Sequence, residues 1–197
     1  GGSFRAGPKW DFPFACHNYR INAYTAALLK SQLSNVEGQA ITRSENGRYL
    51  VKLIDDTEGL QNLRRDSFVS RDSHHLFIFK YKKESFAELP RETFVQALNA
   101  EGIPASLGYP RGCHEQGLFL QPNVHLSRIW PRNPGGRVDV DYRSMTCPNV
   151  EYLCRNETVW LPQYVLLDTT TGMEQIVQAV NKVRRHSSEI IDTGASV

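Results

Sequence analysis

No stretch of these 197 residues approaches the roughly 20 consecutive apolar residues that a membrane-crossing helix requires. The opening residues, Gly1-Gly2-Ser3-Phe4-Arg5, also lack the apolar segment of a secretion signal. Both absences point to a soluble, cytoplasmic protein with no membrane partner. A surplus of charge is missing too: the formal net charge is only +2, and the basic pairs Arg64-Arg65 and Arg184-Arg185 stand far apart. Such pairs read as solvated surface, so no nucleic-acid partner is expected. The four cysteines, Cys16, Cys113, Cys147 and Cys154, show no Cys-x-x-Cys spacing, which makes free, mostly buried thiols the default. Asn156-Glu157-Thr158 fits a glycosylation acceptor, but the match has meaning only in a secreted chain.

Catalytic signatures are absent as well. The chain has no Gly-x-Ser-x-Gly elbow, no Walker loop and no dinucleotide fingerprint. His74 and His75 are adjacent, so on a strand they point to opposite faces and cannot chelate one metal together. His114 and His125 have only Glu115 nearby at ligand spacing, and no metal site is expected.

What is present is the composition of a globular domain, with 40% hydrophobic and 22% charged residues and enough length for one core. Asn22 to about Leu53 keeps helical spacing through Ala23, Ala26, Ala27, Lys30 and Leu33, and predicts a long helix or helix pair broken near Gly38 or Gly47. His74 to Tyr81 is a β-branched and aromatic run that predicts a buried strand. Pro90 opens a helix with Phe94, Ala97 and Leu98 on one face and Gly102 as its carboxyl cap, followed by a short strand from Ile103 to Leu107. Cys147-Pro148 starts another helix, and Thr158 to Leu161 forms a strand that Pro162 stops. Thr171-Gly172-Met173-Glu174 reads as a capping box ahead of the apolar stripe Met173, Ile176, Val177, Val180 and Val183. Beyond Arg185 the periodicity fades into a frayed tail. The sum is an α+β layer in which helices cover one face of a small, mostly antiparallel sheet. Pro110 to Thr146, rich in proline and glycine, stands apart as a functional or mobile loop.

One short segment carries chemical information of its own. In His17-Asn18-Tyr19-Arg20-Ile21 an amide and a guanidinium lie two residues apart on the lead-in to a helix. That pairing suits an anionic group such as a phosphate, or sugar hydroxyls.

Taken with Gly102-Ile103-Pro104-Ala105-Ser106-Leu107-Gly108-Tyr109-Pro110 and Glu157-Thr158-Val159-Trp160-Leu161-Pro162, this segment resembles the carboxyl-terminal part of the DegT/DnrJ/StrS aminotransferases. Those enzymes use pyridoxal phosphate (PLP) on keto-sugars and cyclitols. Ser44 to Leu50, His75-Leu76-Phe77 and Ile176 to Val183 fall in the family's order, so the likeness covers roughly Pro8 to Arg185, with surroundings most similar to the cyclitol branch.

The resemblance implies the small domain of a fold-type I PLP-dependent transferase. Residues 1–21 would then be the end of the large-domain interface segment, 22–185 the small domain and 186–197 a flexible tail. It further implies a homodimer in which Asn18 reaches the cofactor phosphate of the neighbouring subunit, Arg20 lies near the substrate and Tyr109 lines the substrate entrance. Each has a plainer role beside it: Asn18 as a helix cap, Arg20 in a surface ion pair, Tyr109 closing a turn with Pro110. The implied partners are a keto-sugar or keto-cyclitol and an amino-acid donor.

Two departures qualify the likeness. Ile21 to Ala27 lacks the glutamate and glutamine that commonly follow the family's arginine, and Gly108 stands where many members have histidine before Tyr-Pro. The second departure agrees with the cyclitol branch. Transamination also needs a lysine that forms a Schiff base with the cofactor. None of Lys9, Lys30, Lys52, Lys80, Lys82, Lys83 or Lys182 sits in Lys-x-x-x-x-Gly-Glu-Gly-Gly surroundings. No catalytic residue is therefore expected here, and the chain alone is expected not to transaminate, as the carboxyl-terminal portion of a longer enzyme. The rival expectations are a catalytically inactive binding module and a dimerisation surface formed by Asn22 to Leu53.

Overall fold

The computed structural model describes residues 21–120 and 142–194. The chain divides into two compact units, one over Leu29–Gly108 and Asn156–Val197, the other over Gly1–Leu28 and Tyr109–Arg155. The span expected to form one domain, 22–185, thus contains three boundaries between them.

Helix α1 covers Ala23–Gln32, and the Asn22 side chain caps it by accepting from the Thr25 N–H at 2.8 Å. The helix-cap role weighed for Asn18 therefore belongs to Asn22. α1 buries none of its residues. After a 3-10 turn at Leu33–Asn35 comes α2, Val36–Asp55, which runs unbroken through Gly38 and Gly47. The break expected at those glycines lies instead at the turn. Gly47 serves close approach: a Cβ there would run into the His74 imidazole.

The sheet of the first unit has three antiparallel strands in the order β1 (Leu60–Asn62), β2 (Leu76–Tyr81), β3 (Thr158–Pro162). On β2 the aromatic residues alternate inward, Phe77, Phe79 and Tyr81 being buried. Phe79 lies opposite Val159 and Phe77 opposite Leu161, so one face of the sheet is continuously apolar. α2 supplies Leu50 and Ile54 to this face, and the residues of α3 (Arg91–Ala100) that join it are Phe94, Val95 and Leu98. Phe94 stacks on Tyr81 with ring centroids 4.2 Å apart. Burial raises the Tyr81 pKa, with Glu84 and Glu88 adding to the effect, and its hydroxyl donates to the Leu89 carbonyl at 2.8 Å.

The expected strand at Ile103 to Leu107 is reduced to one bridge. Ser106 exchanges both backbone hydrogen bonds with Trp160, at 2.9 and 2.8 Å. Pro104 has no N–H to offer, and the Asn99 side chain engages the Ala105 N–H and carbonyl. The third strand is instead β1, paired with β2 at the opposite edge and too short for alternation to announce it.

Towards the end of the chain this unit adds two helices, α6 (Thr170–Arg185) and α7 (Ser187–Gly194). α6 buries the stripe that its sequence predicts, Met173, Ile176, Val180 and Val183. Its cap is Thr169, whose hydroxyl accepts from the Gly172 N–H, not Thr171. Glu174 is engaged elsewhere, accepting from the Tyr49 hydroxyl at 2.7 Å. α7 replaces the frayed tail over its length. Ser187 donates to the Val183 carbonyl, and Ile190 and Ile191 pack against the core.

Two polar side chains bind distant parts of this unit together. Asn46 donates to the carbonyls of Leu166 and Asp168, at 2.9 and 2.6 Å, fixing α2 to the turn before α6. Arg91 donates to the Thr158 carbonyl at 3.1 Å. Among the described residues no helix is long and apolar enough to cross a membrane.

Candidate functional site

The Tyr109–Arg155 unit is built from short pieces: 3-10 turns at Cys113–Glu115 and Tyr142–Ser144, α4 at Gly117–Leu120 and α5 at Pro148–Tyr152, which opens into a wider π-type turn over Leu153–Glu157. Pro148 stands in the first turn of α5, where the missing N–H costs nothing. Glu151, one turn on, reaches back and accepts the Cys147 N–H at 2.9 Å. The first 3-10 turn is closed in the same way, by Glu115 accepting the Gly112 N–H at 2.9 Å.

These two glutamates meet around a cavity of about 580 Å³. His114, only 8% exposed, brings Nε2 to within 3.1 Å of Glu151. Arg155 pairs with Glu115 through one guanidinium nitrogen and lies 3.7 Å from Glu151 through another. The Cys147 N–H, then His114, hold the Glu151 carboxyl below the usual carboxylate range, outweighing the opposing effect of burial, and Arg155 adds to them. His114 Nε2 and the Glu151 carboxylate share one hydrogen bond across the cavity wall.

Among the described residues of the cavity wall, Arg111, Arg143 and Arg155 stand with Glu115 and Glu151. Leu120, Tyr142 and Met145 contribute apolar surface. No lysine is among the described residues that line it, and no group of three or more His, Cys, Asp or Glu among the described residues could hold a metal ion.

Of the residues singled out in the sequence, Asn18 and Arg20 lie outside the described residues. Tyr109 is 42% exposed and immediately precedes Pro110, which belongs to the cavity wall. Gly108, the departure from histidine, has a steric cause: its φ is +75°, and a Cβ would strike the Trp160 indole. In the sequence His114 and Glu115 stand out only as candidate metal ligands, and Glu151 and Arg155 not at all. Glu151 and Arg155 stand four apart at a proline-started helix, a local sign of an ion pair. Their link to His114 spans 37 residues and leaves no local sign.

Comparison with known proteins adds to this geometry. The sequence matches the DegT/DnrJ/EryC1/StrS aminotransferase family over residues 5–181. It is similar to 3-amino-5-hydroxybenzoate synthase of Amycolatopsis mediterranei (strain S699), with 27% identity over 166 residues, covering 84% of this chain and 39% of the relative. A putative L-glutamine:3-amino-2,3-dideoxy-scyllo-inosose aminotransferase of Streptoalloteichus tenebrarius is 24% identical over 180 residues, covering 86% of this chain and 40% of the relative. The fold matches part of the crystal structure of 3-amino-5-hydroxybenzoic acid (AHBA) synthase with a TM-score of 0.62 and 22% identity, covering 90% of this chain and 42% of that one. The chain thus spans about two fifths of the length of the curated relatives it matches. Its mixed helices over a three-stranded antiparallel sheet are the small-domain fold of a fold-type I transferase, and with the match running through both units the chain belongs to the DegT/DnrJ/EryC1/StrS aminotransferase family.

Proposed function

We propose that this chain supplies the small-domain share of a cytoplasmic, homodimeric, PLP-dependent aminotransferase that moves an amino group from an amino-acid donor to a keto-sugar or keto-cyclitol. The observation that carries the reading is the extent of the family match, residues 5–181, which reaches from the Asn18-Tyr19-Arg20 segment into α6. The relatives' names support the substrate class, since both describe enzymes of aminated six-membered rings. In this reading Asn18 holds the cofactor phosphate of the neighbouring subunit, Arg20 faces the substrate and Tyr109 lines its entrance.

PLP supplies an electron sink once a lysine amine holds it. The cavity of the Tyr109–Arg155 unit does not fit that task, because among the described residues its wall offers arginine, histidine and glutamate but no lysine. No step of amino transfer is assigned to it, and the lysine must come from other residues of the working enzyme.

The test is reconstitution. PLP added to the purified chain should leave no visible band of lysine-bound cofactor. A protein joining these residues to a domain with a Lys-x-x-x-x-Gly-Glu-Gly-Gly segment should show that band and aminate a keto-cyclitol. In that longer protein Asn18→Ala should release the cofactor on dialysis. A lysine-dependent band from this chain alone would overturn the assignment.

A further inference from the structure

We infer that the cavity of the Tyr109–Arg155 unit binds a small ring-bearing organic carboxylate, with Arg111 as the cation that meets the carboxylate. The ring is taken from the aminotransferase reading, on which that part of the inference rests, while the carboxylate stands on the arrangement of charge alone. Arg155 is already neutralised in place by Glu115 and Glu151. Those glutamates are committed in turn: Glu115 also holds the Gly112 N–H, and Glu151 holds the Cys147 N–H and His114. Arg111 lines the same wall and makes no ion pair among the described residues. The wall therefore presents a guanidinium whose forked N–H groups match the two oxygens of a carboxylate, and among the described residues no uncommitted carboxylate to fill it.

The rest of the wall suits a ring. Leu120 and Met145 offer apolar surface for its faces, and the His114 imidazole, held by Glu151, adds a polar group to the same wall. At about 580 Å³ the space lies within the roughly 300–1,000 Å³ of small-molecule sites. The site is thus mixed in character, apolar on its walls with few directed polar groups.

Calorimetric titration of the 197-residue chain with 3-hydroxybenzoate, in the absence of PLP, tests the inference separately from cofactor reconstitution. Saturable binding should appear, weaken by about tenfold or more in Arg111→Gln and recover in part in Arg111→Lys. Arg64→Gln, in the other unit and 89% exposed at its side chain, should leave binding unchanged. 3-Hydroxybenzyl alcohol, the uncharged twin, should bind far more weakly than the acid. Circular dichroism of each variant separates lost binding from lost fold, and the ligand comparison on the unmodified chain stands without any variant. No saturable binding of the acid at millimolar concentration, equal binding of the alcohol, or an Arg111→Gln protein that is folded and binds unchanged would each overturn the site. Inorganic phosphate binding as tightly as the acid would overturn the carboxylate assignment. A failure here with successful PLP reconstitution leaves the enzyme reading standing, and the reverse result leaves the anion site standing.

Discussion

The two units of this chain are held together by different physics. In the Leu29–Gly108 and Asn156–Val197 unit, Phe79, Phe94, Leu161, Met173 and Val180 are fully buried around one sheet face. In the Tyr109–Arg155 unit no large apolar side chain among the described residues is buried, and the buried polar groups are His114 and Gln116. Hydrophobic burial is non-directional and accumulates with area, so the first unit is stabilised by many substitutable contacts. Charge-assisted hydrogen bonds are directional and few, so the second depends on the identity of Glu115, Glu151 and Arg155. A stable scaffold and a specific site are here separate parts of one chain.

The strongest challenge to this contrast is to remove one ring from each unit. Phe94→Ala should cost about 3–5 kcal/mol, read as a lowered urea midpoint, because it leaves a cavity beside Tyr81 and Phe86. Phe119→Ala, whose ring pairs with Tyr142 at 5.0 Å, should cost about 1 kcal/mol. Equal losses would break the contrast. Next in size, Gly108→Ala should cost about 1–3 kcal/mol, since alanine suffers both the positive φ and the Trp160 ring, with a change in tryptophan fluorescence marking the displaced indole. Thr169→Ala should cost about 1 kcal/mol in the same urea assay and Thr171→Ala almost nothing, which sharpens the placement of the α6 cap.

The smallest effect is the most local. The Glu151 pKa is lowered in the folded chain, so its stabilising contribution is complete above the ordinary carboxylate pKa and is lost as pH falls through the folded value. Amide exchange at Cys147, after correction for intrinsic pH dependence, should therefore quicken on acidification in the parent chain. In Glu151→Gln, which cannot ionise, that extra acid dependence should vanish. An unchanged acid response would show that the unit does not rely on this carboxylate.

The same division decides what could be read from sequence. Met173, Ile176, Val180 and Val183 repeat at helical spacing, and the run ending in Tyr81 alternates, so α6 and β2 were legible. The antiparallel α+β class followed from them. Misplacements arose where a side chain took over a backbone role: Asn99 engages the groups that would have made Ile103 to Leu107 a strand, and Glu174 turns to Tyr49 instead of closing a capping box. Gly47 misled because glycine permits close approach as readily as it breaks a helix. The cavity was least legible. His114 gains its meaning only through Glu151, a partner that no local periodicity announces.

The pairing of Ser106 with Trp160 carries a topological consequence. Gly108 and Asn156 are the last and first residues of the same unit on either side of the intervening segment, and the two hydrogen bonds at 2.9 and 2.8 Å clasp its stem. Everything between them is an insertion into a core that closes without it, through contacts such as Asn46 to Leu166 across 120 positions of sequence. Loop-closure entropy rises only by about 0.6 kcal/mol for each doubling of length. Lengthening or shortening the segment therefore adds little to the cost of closing the scaffold around it.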